Sequence, residues 1–242
     1  WGFMLMLTGF YKLLFALGVT QTFFPLALTQ AVLYIFGVRA ILRIAERLSG
    51  AKGRLMTMLM LACCLPLWLA AAVLYTDTFS LPFIAMALDL ALRVKDAANP
   101  RARFALSARC SLVVLIGCQI KMTALIALIA AAIVWLLTMK PRQSVVCILL
   151  SAALVGGGTA VVQRYMKYEV LDPAMVEQHH TPTIHWIMMS IPTGDNPYGG
   201  ATGDYGITWG MMEDGASRAD IMDSIYARMK DRIYALRYPN RL

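Results

Sequence analysis

All three histidines of the chain, His179, His180 and His185, fall within seven residues. Imidazole changes charge near neutral pH and both donates and accepts hydrogen bonds, so it can handle a proton or hold a substrate. A metal site favours i, i+4 spacing, whereas His180 and His185 are five residues apart with Pro182 between them. We therefore interpret His180 and His185 as candidate substrate-binding residues and not as metal ligands. No cofactor is expected, and a divalent metal with Glu177 and Asp172 as further ligands stays an alternative. A further alternative is a loop histidine packed at the lipid interface beside Trp186.

Two charged residues, Asp77 and Lys121, stand in mostly apolar surroundings. Asp77 lies in a Tyr-Thr-Asp-Thr turn, where its carboxylate could bind a donor or an acceptor, or could cap the next helix. Lys121 has apolar neighbours on both sides, so its ammonium group could extend to the membrane interface or bind a phosphate as a point charge. Both residues are predicted to bind substrate.

The stretch 192–210 is rich in Gly, Asn, Asp and Tyr, a composition that is typical of an exposed loop. Tyr, Trp and Asp are also the side chains that stack on sugars and form hydrogen bonds with them. Asp204 is therefore a further candidate for substrate binding.

An amphipathic helix is predicted after this stretch. Ser217 and Asp220 form an S-x-x-D capping signature. Apolar residues then recur at a spacing of four, at Ile221, Ile225, Met229 and Ile233. We expect this helix to lie on the membrane or on an external domain.

Membrane spans must position these residues. Apolar residues make up 59% of the chain and the mean hydropathy is +0.63, and several stretches approach the length that crosses a bilayer. The predicted spans are 3–17, 22–42, 55–75, 81–93, 105–120, 122–139 and 145–163. The expected fold is all-α, with a polytopic transmembrane bundle over 1–164 and an extracytoplasmic segment, 165–242, that contains the amphipathic helix.

The distribution of Lys and Arg predicts the orientation of the spans. The segments 43–54, 93–109 and 140–142 are basic, whereas 18–21 and 75–80 contain no Lys or Arg. Short basic loops face the cytoplasm. Because two consecutive cytoplasmic loops need an even number of crossings between them, the apolar residues between 109 and 140 are expected to form a hairpin of two short helices that turns near Gln119, Lys121 and Thr123. The same parity places 165–242 outside.

The net charge of +8 does not indicate nucleic-acid binding. The basic residues are spread over membrane-flanking loops, whereas a nucleic-acid site concentrates them in one patch with interleaved aromatic residues. The expected surroundings are instead a lipid bilayer.

Three segments, in this order and with this sidedness, resemble bacterial membrane glycosyltransferases of the GT-C superfamily, in particular the protein-mannosyltransferase-like branch. The segments are 75–83 (YTDTFSLPF), 120–125 (IKMTAL) and 183–189 (TIHWIMM), the last followed by a Gly-Asp-Tyr loop. The resemblance implies a multi-helix membrane enzyme that transfers a sugar from a polyprenyl-phosphate carrier to a glycan or protein acceptor outside the cytoplasm.

One feature of the GT-C superfamily has no counterpart in the chain. These enzymes place a catalytic acidic residue in the first external loop, between their first two spans. The chain begins at Trp1, at the edge of an apolar run, so we expect a fragment that lacks its N-terminal part. The catalytic residue is accordingly unassigned, and Asp77 is not given that role.

Two other classes of protein are compatible with many membrane spans. A transporter or flippase for lipid-linked sugars would more often show internal repeats and polar residues at mid-membrane depth. A structural membrane subunit would need no polar residues gathered on one face. The apparent concentration of polar residues at the outer boundary favours the enzyme.

Overall fold

The computed structural model describes residues 2–21, 23–71, 73, 75–170, 181–192 and 202–237. These residues form ten α-helices and no strand, so the predicted all-α class is confirmed for the described part of the chain. The chain divides into two compact units, Trp1–Met166 (unit 1) and Lys167–Leu242 (unit 2). Assignment of 1–164 to the membrane and of 165–242 to its outer side stays a prediction.

Among its described residues, unit 1 contains seven α-helices, a short 3₁₀ turn and the start of a π-helical turn. They are α1 (Gly2–Ala16), α2 (Phe23–Cys63), α3 (Leu65–Ala70), α4 (Thr76–Asp96), α5 (Pro100–Ile120), the 3₁₀ turn Met122–Ala124, α6 (Leu125–Thr138), α7 (Pro141–Tyr165) and the π-helical turn Met166–Val170.

Helix α2 reverses direction at Gly50. The backbone there has φ 67° and ψ −165°, a conformation that is available to glycine and strained for other residues. Arg54 pairs with Glu46 at 3.1 Å, and the Gln30 Nε2 lies 3.4 Å from the Ala70 carbonyl oxygen. A straight helix would separate Gln30 from Ala70 by about 60 Å. The chain therefore forms a hairpin, with one arm before Gly50 and a second arm after it.

The continuous span predicted over 55–75 is wrong, because helix α2 ends at Cys63 and α3 begins at Leu65. Pro66 lies in the first turn of α3, where its missing N–H costs nothing, but its ring prevents the helix from continuing through it. The predicted span 81–93 belongs to a longer helix, α4, which starts five residues earlier at Thr76.

Helix α4 is the centre of unit 1 and packs against α2, α5 and α6. Its buried face includes Ala85, Ala87 and Ala91, small residues that let helices approach closely in a membrane. From α6, the fully buried Trp135 donates a hydrogen bond to the Ala91 carbonyl oxygen at 3.0 Å. Packing against these neighbours therefore fixes the position of α4 and of the charged residues at its two ends.

The predicted turn between the fifth and sixth spans is confirmed at Lys121. This residue has an extended backbone (φ −151°, ψ 128°) and separates α5 from the 3₁₀ turn that leads into α6. The expectation of two short helices is wrong for α5, which has 21 residues. Its extra turn begins where the Asn99 Oδ1 accepts a hydrogen bond from the Ala102 N–H at 2.7 Å, an N-cap that apolar periodicity does not reveal.

The three basic segments of the sequence meet at one end of unit 1. Arg47 pairs with Asp96 at the end of α4. Arg103 donates to the Gln143 side chain at the start of α7 and to the Ala97 carbonyl oxygen. This is the grouping that the parity argument predicts, and it defines the Arg-rich end of the bundle.

Close to that end, several arginines surround one buried carboxylate. Asp89 is 1% exposed, and its Oδ2 forms ion pairs with Arg43 at 2.9 Å and with Arg93 at 3.1 Å. The Arg47 Nε lies 4.0 Å from the Asp89 Oδ1. We call these four residues the Asp89 network. An unpaired charge is costly away from water. Asp89 and its arginine partners therefore stabilise unit 1 only when all of them are present.

The helices of unit 1 suit a bilayer by length and composition. Helix α2, helix α5 and the segment Pro141–Val170 are long and apolar enough to cross a membrane, and Gly2–Ala16 and Met122–Thr138 are shorter apolar helices. Large apolar side chains remain exposed, such as Phe23 at 70% and Leu137 at 80%. In lipid these side chains cost nothing, whereas in water they would form an unusually large apolar surface.

Unit 2 contains α8 (Thr183–Ser190), α9 (Thr202–Glu213) and α10 (Arg218–Arg237) among its described residues. The predicted capping box is confirmed: the Asp220 N–H donates to the Ser217 Oγ at 3.2 Å, and the Ser217 Oγ donates back to the Asp220 carboxylate at 2.6 Å. Ile221 and Ile225 are buried as predicted, whereas Ile233 is 50% exposed.

The loop predicted over 192–210 is wrong in its second half, because α9 starts at Thr202. Contacts one turn apart support this helix: the rings of Tyr205 and Trp209 stack at 5.9 Å, and the Trp209 Nε1 donates to Glu213 at 2.7 Å. Met212 is 2% exposed within the core of unit 2. Tertiary burial therefore outweighs the low helix propensity of the glycines in this segment.

Candidate functional site

Asp77 and Lys121, which are 44 residues apart in sequence, form an ion pair through the Asp77 Oδ1 and the Lys121 Nζ. Asp77 lies in the first turn of α4, where the helix dipole favours a negative charge. The Lys121 Nζ also lies 5.8 Å from the centre of the Tyr75 ring, within range of a cation–π interaction. We call this the Asp77–Lys121 pair.

The observed contacts do not support the two alternative roles, which were helix capping by Asp77 and extension of Lys121 to the membrane interface. Tyr75 is the N-cap of α4 and no side chain caps that end, so Asp77 is not a capping residue. Lys121 bonds to a carboxylate and does not merely extend to an interface. The side chains are 46% exposed for Asp77 and 32% exposed for Lys121, so a ligand can reach both.

Gln30 positions the chain that leads into the pair. Its side chain is buried, and its Nε2 donates to the Val73 carbonyl oxygen at 3.0 Å and to the Thr78 Oγ1 at 3.2 Å. Thr78 in turn donates to the Tyr75 carbonyl oxygen at 2.8 Å. A glutamine inside an apolar span was the available sequence signal, because a buried amide must find partners.

The pair and the Asp89 network lie towards opposite ends of α4. At 1.5 Å per residue, Asp77 and Asp89 are separated by about 18 Å along the helix axis. Helix α4 thus starts within segment 75–80, which contains no Lys or Arg. The last residues of α4 lie at the Arg-rich end of the bundle. Unit 1 presents an accessible cation and carboxylate at the end that is otherwise poor in basic residues.

His185 and Asp204 lie in a buried network of unit 2. The His185 Nδ1 is 3.0 Å from the Thr208 Oγ1, which also accepts a bond from Arg228 at 3.1 Å. Asp204 pairs with Arg228 at 3.6 Å and more closely with Arg232. We call these five residues the Asp204 network. It connects α8, α9 and α10, and it brings together two of the residues that the sequence singled out.

Neither His185 nor Asp204 is open to a ligand, because their exposed fractions are 0% and 4%. The His185 Nε2 is buried without a hydrogen-bond partner among the described residues. His185 and Asp204 therefore act on a ligand at the surface of unit 2 only indirectly, by positioning the side chains that contact it.

Burial lowers the pKa of His185 below its usual value of 6.5, and the nearby positive charge of Arg228 lowers it further, while Asp204 acts in the opposite sense. His185 is consequently neutral in the folded protein at neutral pH. In the tautomer with the proton on Nε2, the Thr208 hydroxyl donates to the Nδ1 and accepts from Arg228, so the Nδ1 and the hydroxyl are both satisfied.

We predict that unit 2 loses stability as the pH falls below about 6.5. In that range the unfolded chain binds a proton at His185 that the folded chain excludes, so stability rises with pH by up to about 1.4 kcal/mol per pH unit. Hydrogen–deuterium exchange of α8 to α10, corrected for the intrinsic pH dependence of exchange, measures this effect.

The variant His185→Gln should lose this dependence, because its amide does not titrate. A variant with His179→Gln and His180→Gln should keep it. An unchanged pH dependence in His185→Gln would contradict the prediction.

An exposed row of aromatic side chains lies beside His185. Trp186 is 53% exposed, Tyr205 is 40% exposed and Trp209 is 38% exposed. The rings of Trp186 and Tyr205 are 6.1 Å apart, and Tyr205 stacks on Trp209. The His185 ring contacts Trp186 edge-on at 5.2 Å. This aromatic row offers flat apolar faces with polar edges, the kind of surface that suits sugars.

The remaining histidine candidate, His180, lies outside the described residues, as does His179. Within the described residues, no three side chains of His, Cys, Asp and Glu lie close enough to hold a metal ion together.

Sequence reasoning missed Arg228 and Arg232, although a signal was present. Both residues continue the helical face of Ile221 and Ile225, at offsets of three and four residues. A positively charged residue on the buried face of an amphipathic helix indicates a buried carboxylate partner, which is Asp204 in this case.

Comparison with known families identifies the chain's relatives. Residues 26–203 match the model of a family described as conserved hypothetical integral membrane protein, which is more than half of the chain. The chain belongs to this family. Comparison with curated proteins and with solved structures gives no match.

Membership of an integral membrane protein family agrees with the apolar helices and the exposed apolar surface of unit 1. This integral membrane protein is therefore multi-pass, and the lipid bilayer is its surroundings. The matched segment includes the Asp77–Lys121 pair, the Asp89 network and the aromatic residue Trp186, and it ends immediately before Asp204.

Proposed function

We propose that this integral membrane protein is a glycosyltransferase that moves a sugar from a polyprenyl-phosphate-linked donor to an acceptor on the extracytoplasmic side of the membrane. The observation that carries the proposal is the accessible Asp77–Lys121 pair at the Lys/Arg-poor end of unit 1. The resemblance of the segments around Asp77, Lys121 and His185 to GT-C enzymes supports the same reaction.

Lys121 is the candidate for binding the donor phosphate. An ammonium group can donate three hydrogen bonds, and Asp77 accepts one of them, which leaves two for phosphate oxygens. As the bond between the sugar and the phosphate breaks, negative charge grows on the leaving oxygen, and a fixed cation stabilises that charge. Lys121 lies at a helix junction and is only partly exposed, so this interaction is screened less than in bulk water.

Asp77 has a binding role in this proposal. Its carboxylate holds Lys121, and its second oxygen can accept a hydrogen bond from a sugar hydroxyl. We do not assign it as the base that removes the acceptor proton, because Lys121 already occupies one oxygen. The base of the reaction is unassigned.

The aromatic row is the proposed sugar-contacting surface of unit 2. Stacking on Trp186, Tyr205 or Trp209 would bury the apolar face of a sugar ring. The Asp204 network supports this role because it fixes the helices that carry these rings, and His185 contacts Trp186 directly. In this view His185 and Asp204 are positioning residues.

The distribution of charge in unit 1 favours an enzyme over a flippase. A transport path requires polar groups that face a cavity at mid-membrane depth. Asp89 is a buried charged residue of α4, yet Arg43 and Arg93 neutralise it near the Arg-rich end.

The test is sugar transfer from radiolabelled polyprenyl-phosphate donors in membranes from cells that express the protein. Lys121→Ala should reduce transfer by about 100-fold, the usual cost of removing one group that stabilises the leaving charge. Asp77→Asn should also reduce it. Because both side chains are partly exposed, loss of the pair should change stability by less than about 1 kcal/mol.

Matched controls at the Arg-rich end are Lys140→Ala and Asp96→Asn, which should transfer sugar like the unmodified protein. Unchanged transfer in Lys121→Ala would reject the assigned site. If no donor supports transfer but lipid-linked sugar crosses the membrane, the protein is a flippase and the proposed glycosyltransferase activity is rejected.

A further inference from the structure

A cavity of about 480 Å³ lies between the two arms of the α2 hairpin. The first arm contributes Ile35, Val38 and Leu42, and Trp68 of α3 lies on the opposite side. A cavity with these walls accepts an acyl chain or a glycerol backbone, because most of its lining is apolar.

The same cavity has basic walls beside these apolar ones. Arg39 and Arg43 of the first arm and Arg54 of the second arm line it, together with a single carboxylate, Glu46. Arg54 pairs with Glu46 at 3.1 Å, and Arg43 pairs with Asp89 at 2.9 Å. Arg39 has no ion-pair partner among the described residues, so the cavity keeps an uncompensated positive charge.

Nearby charges do not remove this excess. In the Asp89 network and its neighbour Asp96, three arginines face two aspartates, which leaves a second positive charge beside the cavity. A cavity whose walls combine apolar and positively charged side chains complements a molecule with hydrocarbon chains and an anionic head.

We propose that the cleft between the arms of α2 binds an anionic glycerophospholipid from the leaflet at the Arg-rich end. The phosphate contacts Arg39 and Arg43, and the glycerol and upper acyl chains lie along Val38, Leu42 and Trp68. The lipid fills the space between the first arm, Arg54 and Trp68, and so it holds the second arm and α3 against the first arm. This site is separate from the Asp77–Lys121 pair and does not depend on the proposed glycosyltransferase activity.

Quenching of Trp68 by lipids with brominated chains tests this proposal. The protein is reconstituted into vesicles that contain either brominated phosphatidylglycerol or brominated phosphatidylcholine at equal mole fraction. Subtraction of the fluorescence of the Trp68→Phe variant isolates the signal of Trp68 from the other tryptophans. We expect about fivefold tighter occupancy by phosphatidylglycerol, the ratio that about one additional arginine contact supplies at a membrane surface.

Arg39→Gln should reduce this preference to about one, and it should leave the fold intact because Arg39 is exposed and has no ion-pair partner within the described part of the chain. Arg142→Gln removes an exposed arginine elsewhere in the basic segments and should keep the preference. Equal quenching by the two lipids, or a preference that survives Arg39→Gln, would overturn the proposal. Loss of the preference on addition of excess glycerol 3-phosphate would also overturn it, because the occupant would then be a soluble phosphate compound.

Discussion

Replacement of Asp89 by alanine is expected to destabilise unit 1 by about 3 kcal/mol. The carboxylate is 1% exposed and forms ion pairs with Arg43 on α2 and with Arg93 on α4. Its removal leaves two guanidinium groups close together without a counter-charge. Because these arginines remain about one-third exposed, we place the effect at the lower end of the range for a broken buried pair.

Cysteine labelling can measure this change without unfolding the whole protein irreversibly. Cys110, Cys118 and Cys147 are buried, so their reaction with a maleimide in detergent micelles reports opening of unit 1. Cys63 and Cys64 are exposed and are replaced by serine beforehand. We expect the buried cysteines of Asp89→Ala to react about 100-fold faster, as the free-energy change implies.

Two further variants separate charge from volume. Asp89→Asn keeps the size of the side chain, and it should still lose most of the stability if charge is the cause. Asp96→Ala breaks an exposed pair with Arg47 and should change stability by less than about 1 kcal/mol. Labelling of Asp89→Ala at the rate of the unmodified protein would show that the network does not stabilise unit 1.

Replacement of Asp204 by alanine is expected to destabilise unit 2 by about 3 kcal/mol. Asp204 is the carboxylate between Arg228 and Arg232, whose side chains are only 19% and 13% exposed. Both arginines keep other partners, since Arg228 donates to Thr208 and to the Ser224 carbonyl oxygen, and Arg232 donates to the Met188 carbonyl oxygen. These bonds neutralise no charge, so most of the stabilisation should still be lost.

Hydrogen–deuterium exchange should detect this loss as faster exchange throughout α8, α9 and α10. The sequence of unit 2 contains no cysteine, so cysteine labelling should report an unchanged unit 1 in the same variant. Glu213→Ala, which removes an exposed acceptor of Trp209, is the matched control and should change exchange little. Protection of α10 that is unaffected by Asp204→Ala would contradict the structural role of the network.

Local sequence patterns were sufficient for most elements of this protein. Apolar runs predicted the helices, because a bilayer demands long apolar segments. The capping box at Ser217 and Asp220 and the turn at Lys121 were also local features, and both were found where expected. The break at Cys64 had a local signal in Pro66, which the prediction of a continuous span did not use.

The helix α9 could not be predicted in this way. Its glycines indicate a loop, and the stabilising contacts come from α8 and α10, which sequence spacing does not reveal. The partners of the charged residues were equally hidden. Asp77 and Lys121 were both chosen as candidates, but nothing local indicates that they form a pair across 44 residues.

By itself, the sequence determined a membrane protein of apolar helices, with its basic residues gathered in alternate loops and its candidate polar residues elsewhere. Only the tertiary structure decided which candidates are accessible: Asp77 and Lys121 are partly exposed, whereas His185 and Asp204 are buried. The physical reason is that hydropathy and helix signals act over a few residues and can be read in one dimension. Burial and charge pairing depend on which helices meet, and helix packing sets those distances.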